Sequence, residues 1–359
     1  MRKTAIACGV IGLILVIAAF LLAFWITPTY VARLQSNSNT VRNYNGKIRI
    51  LVNPAALRTG NLAAATKTGL PETLRRQVTV KATSGNTALV RDATTVSSSG
   101  KQIAAITSQY AVSRTSLEAT ASHPGNWSIT NAKGLTFNWP VGAKQQNYTG
   151  WVPFTRTTTP LKYVRQQQQD GINTYVYQAA VPPTPITNPQ VLRGLPTSLP
   201  VTLLPGAVKA GLIPASVVAN LTKAFPGART IPVGYTYQSA STYWVAPVTG
   251  IVVNASTTES QTGGIALPGG KIIPLLPVLA DSYKFSPSSV QAAANDATND
   301  SNTIQSVGTT LPIVAGIVGF LLIVVAVLLW IRGRRHGVGG PGRASRGPSL
   351  DPAHADTRR

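Results

Sequence analysis

The chain has 359 residues, with 32 Lys and Arg against 10 Asp and Glu, for a formal charge of +22. Its one cysteine, Cys8, excludes a disulfide-stapled scaffold. Its three histidines leave little from which to build a His-based metal or proton-transfer centre.

At the start, Arg2 and Lys3 precede an uncharged run at residues 5–26. A helix rises ~1.5 Å per residue, so such a run spans ~30 Å, the hydrocarbon thickness of a bilayer. Trp25 and Tyr30 fall at its outer end, where amphipathic rings prefer the interface. A cleaved signal peptide has a shorter apolar core and a small-residue site soon after it; this run is longer and no such site follows closely. A lipoprotein signal places its cysteine after the apolar core, whereas Cys8 precedes most of it. An uncleaved anchor is therefore expected, followed by a polar stalk at 31–40.

Alternation of period two predicts strands at 47–52 (KIRILV), 76–83 (RQVTVKAT), 88–96 and 102–112, the last two separated by a turn at 97–100. The chain breaks at 123–125. Residues 134–140 (GLTFNWP) are short, aromatic and strand-like, and 151–154 form a second aromatic knot. A Thr-rich stretch at 155–164 leads into Gln166, Gln167, Gln168 and Gln169, which with Asp170-Gly171 read as an exposed loop. Residues 172–181 (INTYVYQAAV) are the clearest strand, with tyrosines on one face. The proline-dense stretch 182–205 cannot serve a central strand and reads as a long ordered loop, with a short helix at 215–224. Strand character returns at 231–240, 242–245 and 251–256, with a turn at 247–250. Residues 263–277, rich in Gly and Pro, show no clear period. Residues 288–306 have helical composition, with Asp296 and Asp300 spaced i,i+4.

A second uncharged run, 311–331 (LPIVAGIVGFLLIVVAVLLWI), is followed at once by Arg332, Arg334 and Arg335. Basic clusters beside apolar helices stay on the cytoplasmic side. The plan that follows is a cytoplasmic N-terminus at 1–4, a transmembrane helix at 5–26, an extracytoplasmic β-rich domain at 27–310, a transmembrane helix at 311–331 and a disordered basic cytoplasmic tail at 332–359. The fold class is α+β and membrane-anchored, with a mostly antiparallel β-rich outer domain between the two helices, in the cell (inner) membrane. Ala5-x-x-x-Gly9 and Ala315-x-x-x-Gly319 place small residues one turn apart, so the two helices can pack closely. With this topology the basic outer domain suits anionic phospholipids, glycans or wall polymers, and not nucleic acid.

The segments GLTFNWPVG, YTGWVPFTRTTTPLKYV and DGINTYVYQ, between Gly134 and Gln178, resemble the actinobacterial family named after porin PorA. Tyr243-Trp244-Val245-x-Pro247-x-Thr249-Gly250 resembles that family's later turn, and the two-helix plan also matches. Ala246 stands where the family often has Asp, and residues 110–117 lack an Asp-Arg-x-Thr-Gly turn; if those acids served a site, this chain lacks it. The resemblance implies a place in the cell envelope and a role in assembling lipid-linked glycans. Despite the family name, a β-barrel porin is not expected, because such barrels cross membranes with about ten-residue alternating strands and need no apolar helix.

No catalytic constellation is visible. His336 and His354 fall in the tail, and His123 has no second ligand nearby in sequence. A glycan-modifying enzyme would need two carboxylates ~5–9 Å apart; Asp92 with Asp281 is the candidate pair. The aromatics Trp139, Trp151, Tyr163, Tyr175, Tyr177 and Trp244 are the candidate ligand-binding residues, able to stack on sugar rings or line a groove, or else to serve as sheet core. The expectation is a non-enzymatic envelope protein without cofactor or metal. Its outer domain would bind anionic lipid or lipoglycan and assist envelope glycolipid assembly or export, with other assembly proteins as partners. The alternatives are a carboxylate-pair enzyme and a porin or channel component.

Overall fold

The computed structural model describes residues 2–53, 56, 65–209, 213–267 and 269–335. The chain divides into two units, Met1–Thr27 with Ser306–Arg359, and Pro28–Gln305.

In the first unit, helix α1 (Arg2–Leu21) packs antiparallel to the long C-terminal helix of Leu311–Arg335, called α6 below. A Cβ added at Gly9 would touch that of Ala326, and one added at Gly316 would touch that of Ala19. Between them the two backbones meet. A Cβ on Gly12 would lie 2.6 Å from the Gly319 carbonyl oxygen, and one on Gly319 would lie 2.7 Å from that of Gly12. The contact thus uses Gly9 and Gly319 of the expected small-residue pairs and adds Gly12 and Gly316, as close helix packing in lipid requires. Elsewhere the helices display Ile6, Phe20 and Phe320, each more than three-fifths exposed, a surface that water does not tolerate. Both helices are long and apolar enough to cross a membrane.

The second unit is one antiparallel sheet of eleven strands. In chain order these are β1 (Asn39–Val52), β2 (Thr66–Ser84), β3 (Thr87–Ser98), β4 (Lys101–Ser113), β5 (Tyr148–Val152), β6 (Thr157–Gln169), β7 (Ile172–Pro185), β8 (Ser198–Pro200), β9 (Thr230–Val245), β10 (Val252–Ala266) and β11 (Ile272–Phe285). The lateral order is β4-β3-β2-β1-β11-β10-β9-β7-β6-β5, with β8 on β9. β1 therefore pairs with β11, the last strand, and the chain's two halves join through that ladder. The sheet curves into a half-barrel. Its concave face takes alternate residues, such as Tyr44 and Ile48 of β1 and Glu72, Leu74 and Val80 of β2, all buried. The convex face carries Lys47, Arg49, Arg75 and Lys162, all exposed.

Both sheet edges are covered in part, which matters because open edges invite aggregation. Isolated bridges Val112↔Ala119, Glu118↔Leu135 and Leu135↔Gly150 carry the hydrogen bonding from β4 across to β5. Further along β4, the side-chain amide of Gln190, in helix α2 (Pro189–Leu192), accepts from the Thr107 N–H at 3.0 Å and donates to the Thr107 carbonyl at 2.7 Å. Two short helices follow β8, α3 (Leu204–Lys209) and α4 (Ala215–Ala224). Helix α5 (Pro287–Gln305) lies across one end of the sheet. It buries Ala293, Ala294 and Ala297, and Asp296 pairs with Arg42 of β1 at 2.6 Å.

Several expectations are corrected. Residues 31–40 are no free stalk: the Leu34 N–H donates to the Arg114 carbonyl, and the Arg114 side chain returns a bond to the Leu34 carbonyl. The glutamine run is strand, not loop. Gln166 to Gln169 pair with Tyr175 to Ile172, because the Asp170-Gly171 turn, with φ of 48° and 78°, is a two-residue hairpin. Residues 134–140 form no strand beyond the Leu135 bridges. Their aromatics, Phe137 and Trp139, turn into the core instead. Pro182, Pro183 and Pro185 do lie in a strand, β7. This is possible because pairing with β6 ends at Ala179 and the β9 ladder slips between Val181 and Thr184, so the missing N–H groups break nothing. Residues 263–277 are the β10–β11 hairpin, and 231–245 are one strand. The helices at 215–224 and 288–306 form within a residue of expectation. Beyond Arg335 the tail lies outside the described residues.

Candidate functional site

The concave face of the half-barrel encloses a cavity of about 590 Å³. Tyr44, Tyr110, Phe137, Trp139, Tyr237 and Tyr243 supply much of its wall. Its charged side chains are Arg76 and four acids, Glu72, Asp92, Glu259 and Asp281. A chain of net charge +22 therefore has an acidic interior.

Strand register brings the acids together. Asp281 on β11 is the direct cross-strand neighbour of Glu259 on β10. Glu72 sits one strand beyond β1, opposite Gly46. A Cβ at Gly46 would lie 2.7 Å from Glu72 Oε2 and 2.6 Å from the Ser282 carbonyl. Glycine at 46 thus leaves the space in which the Glu72 carboxyl lies over β1 towards β11, close enough to Asp281 for the two to influence each other's ionisation. Neither Glu72 Oε2 nor Asp281 Oδ1 has a donor among the described residues. Glu259 Oε2 accepts from the hydroxyls of Tyr237 at 2.8 Å and Tyr283 at 3.0 Å. The fourth acid is separate: Asp92 is held bidentately by Arg76, with bonds of 2.6 to 3.2 Å, and Arg76 also donates to the Thr136 carbonyl.

Burial disfavours the ionised form of all three clustered acids. Asp281 is pushed up to about 9, by burial first and then by the charges of Glu259 and Glu72, against a weaker pull from Arg49. Glu72 is pushed up to about 7 by burial and by Glu259. Glu259 is raised by burial, against the downward pull of its two tyrosine hydrogen bonds. At neutral pH the cluster therefore holds protons, with Asp281 in its acid form and Glu72 near its midpoint.

The aromatic residues singled out from sequence divide between the cavity and the core beside it. Trp139, 3% exposed, packs against Tyr177 and Tyr243 and lines the cavity; its indole N–H has no partner among the described residues. Trp151 also lines the cavity. Tyr163, Tyr175 and Tyr177 form an edge-to-face cluster in the core, and the Tyr177 hydroxyl donates to the Lys144 carbonyl. Trp244 is half-buried on β9. Asp92 and Asp281 face the same cavity, but Asp92 partners Arg76 and Asp281 partners Glu72 and Glu259. Glu72, Glu259, Tyr237 and Tyr283 were not picked out from sequence. Period two places each on the inward face, but only the β1–β2, β1–β11 and β10–β11 registers show that they meet. His123 stacks on Trp127 and its Nδ1 lies 2.8 Å from the Pro124 carbonyl, apart from the acids. Among the described residues no three His, Cys, Asp or Glu side chains converge as metal ligands would.

The sequence matches the family described as porin PorA over residues 4–328. The chain belongs to the PorA family. No curated protein matches it. Among solved structures, an acyl-CoA thioesterase II, TesB2, from Mycobacterium marinum aligns at 11% identity over 69% of this chain and 80% of that one, with a TM-score of 0.12; a likeness of that grade carries no argument. Membership of a porin family overturns the expectation of a lipoglycan-binding, non-channel protein and favours the channel alternative. The two apolar helices and the porin family together mark a membrane protein.

Proposed function

We propose that this PorA-family chain is a channel component of a cell-envelope membrane, crossing it with α1 and α6 and not with strands. The match to the porin family across residues 4–328 carries the proposal. A transmembrane barrel needs an apolar outer band about 25 Å tall, and the exposed Lys47, Arg49, Arg75 and Lys162 on the convex face do not suit one. The crossing elements are then the two apolar helices. One antiparallel pair in backbone contact at Gly12 and Gly319 leaves no lumen between its members, so a pore needs several copies, packed through exposed faces such as that of Phe20 and Phe320. The residues at 2–3 and 332–335 share one end of the pair, and basic flanks favour the cytoplasmic side for that end. On this reading the sheet unit is extracytoplasmic, and the membrane the helices cross is the inner membrane of an actinobacterium-type envelope. On this reading the chain is not an enzyme. Purified full-length protein reconstituted into planar bilayers should give discrete current steps; silent bilayers containing folded, inserted protein refute the proposal.

A further inference from the structure

We propose that the interior of the half-barrel is a binding site for a small organic cation, a primary amine or guanidinium compound with an apolar body. Its charged head would sit among Glu72, Asp281 and Glu259, and its body would lie along the aromatic wall. The inference goes beyond the channel assignment and does not depend on conduction.

Four observations carry it. The first is the space, about 590 Å³, within the ~300–1,000 Å³ of small-molecule sites. The second is a set of buried carboxyls short of hydrogen-bond donors. Glu72 is 3% exposed and Asp281 1%, and each keeps a carboxyl oxygen without a donor from elsewhere in the described chain. Among the described residues the only cation lining the cavity, Arg76, is already committed to Asp92 and the Thr136 carbonyl. Buried carboxyls left without donors are costly, and such groups in a native fold call for a partner. The third is that room is kept for one of them, because any side chain at Gly46 would collide with Glu72 Oε2 and the β11 backbone. The fourth is independent of the acids. The Trp139 indole N–H, on the same cavity wall and nine-tenths buried, also lacks a partner.

The chemistry of the occupant follows. A close pair of carboxyls short of donors offers a place to a hydrogen-bond donor that brings its own positive charge, and an ammonium or guanidinium supplies both. A bare metal ion fits less well, since no three carboxylates converge on one point among the described residues. The tyrosine and tryptophan faces add cation–π attraction for an organic cation. The groups facing the acids are the Tyr237 and Tyr283 hydroxyls from β9 and β11, with Arg49, exposed in the β1 bulge opposite Asp281, lowering that acid from outside the cavity lining. None of these donates to the unpartnered oxygens of Glu72 and Asp281. Binding exchanges a proton of the cluster for the cation, so a proton leaves to solvent as the ligand enters.

Isothermal titration of the full-length protein in detergent near pH 7 tests this, with phenethylamine and its uncharged analogue 2-phenylethanol as probes. The amine should bind at least about tenfold more tightly than the alcohol. Its apparent heat should change between buffers of different ionisation enthalpy, by an amount that reports release of about one proton. Asp281→Asn and Glu72→Gln should each weaken the amine about tenfold or more and leave the alcohol within about twofold, a loss of some 1.4 kcal/mol per decade. Both substitutions keep the side-chain volume, and a thermal melt of each variant reports folding. If one variant fails to fold, the amine–alcohol ratio in the parent and the other variant still decide. Equal affinities for the two probes, no saturable amine binding at millimolar concentration, or amine binding indifferent to both substitutions overturns the proposal. Silent bilayers would count against the channel assignment and leave this one standing.

Discussion

Glu72→Gln should remove one part of the pH dependence of stability, that of its own carboxyl, and leave the parts carried by Asp281 and Glu259. The Glu72 carboxyl is raised from an ordinary 4.5 to about 7, mainly by burial. An acid raised on folding gives up its proton first in the unfolded chain, so between those two values the native state binds more protons than the unfolded state. Stability therefore falls as pH rises through that window and is greatest below it. The difference of about 2.5 pH units, at ~1.4 kcal/mol each, sets an upper bound of about 3.5 kcal/mol, of which about 3 kcal/mol is lost by pH 7. Glutamine cannot ionise, matches the neutral acid in shape and keeps a donor for Asp281. The variant should equal the parent near pH 4.5 and exceed it at pH 7 by up to about 3 kcal/mol. At ~2–4 °C per kcal/mol for a domain of this size, that is a Tm gap of roughly 6–12 °C. Circular-dichroism melts of parent and variant across pH 4.5 to 8, in the same detergent, read it directly. A constant Tm offset, or a parent that gains on the variant as pH rises, would refute the account of the carboxyl cluster.

Three further outcomes follow from the packing. Arg76→Met strands Asp92, 8% exposed and otherwise held by that guanidinium; urea unfolding should show a loss of about 3–5 kcal/mol, most of it regained when Asp92→Leu is added. Gly250→Ala places a Cβ against the Trp139 and Pro140 carbonyls at φ +74°, so melts should show a loss of at least ~2 kcal/mol, whereas Ala at Gly171, which has open space around it, should cost about 1 kcal/mol. In a Cys8→Ser background, Gly9→Cys with Ala326→Cys should form a disulfide, since a Cβ at 9 stands 3.5 Å from that of Ala326, within the range such bonds need. Adding Gly12→Leu, which drives a side chain into the α6 backbone, should abolish that crosslink.

The elements with strong local signals were legible in the sequence. The apolar helices follow from uncharged length, α4 and α5 from composition, and β3, β4 and β7 from alternation. What eluded it depends on pairing and packing that no local period announces. The glutamines of β6 look solvated in isolation and become strand because 172–175 lie opposite them. The prolines of β7 are tolerated only because β6 has already ended. The closure of the edges through Leu135 and Gln190 involves single residues with no periodic signature. The site shows the same limit. Trp139 and Trp151 were readable as aromatic candidates, and Asp281 as one half of a carboxylate pair. Its true partners, Glu72 and Glu259, lie far from it in the chain, on β2 and β10, and only the registers through β1 and β11 bring them to it. Gly46, one residue before the strand expected at 47–52, is what lets Glu72 reach across.

The central claim is that a PorA-family chain with a polar-surfaced half-barrel conducts through its helices. Planar-bilayer recording of the purified full-length protein, with the parent and Gly12→Leu side by side, tests it most directly. The account predicts discrete current steps that scale with salt for the parent and their loss in the variant, whose sheet unit still melts normally. Folded, inserted parent protein that leaves the bilayer silent at every density, or a Gly12→Leu variant that conducts like the parent, would contradict it.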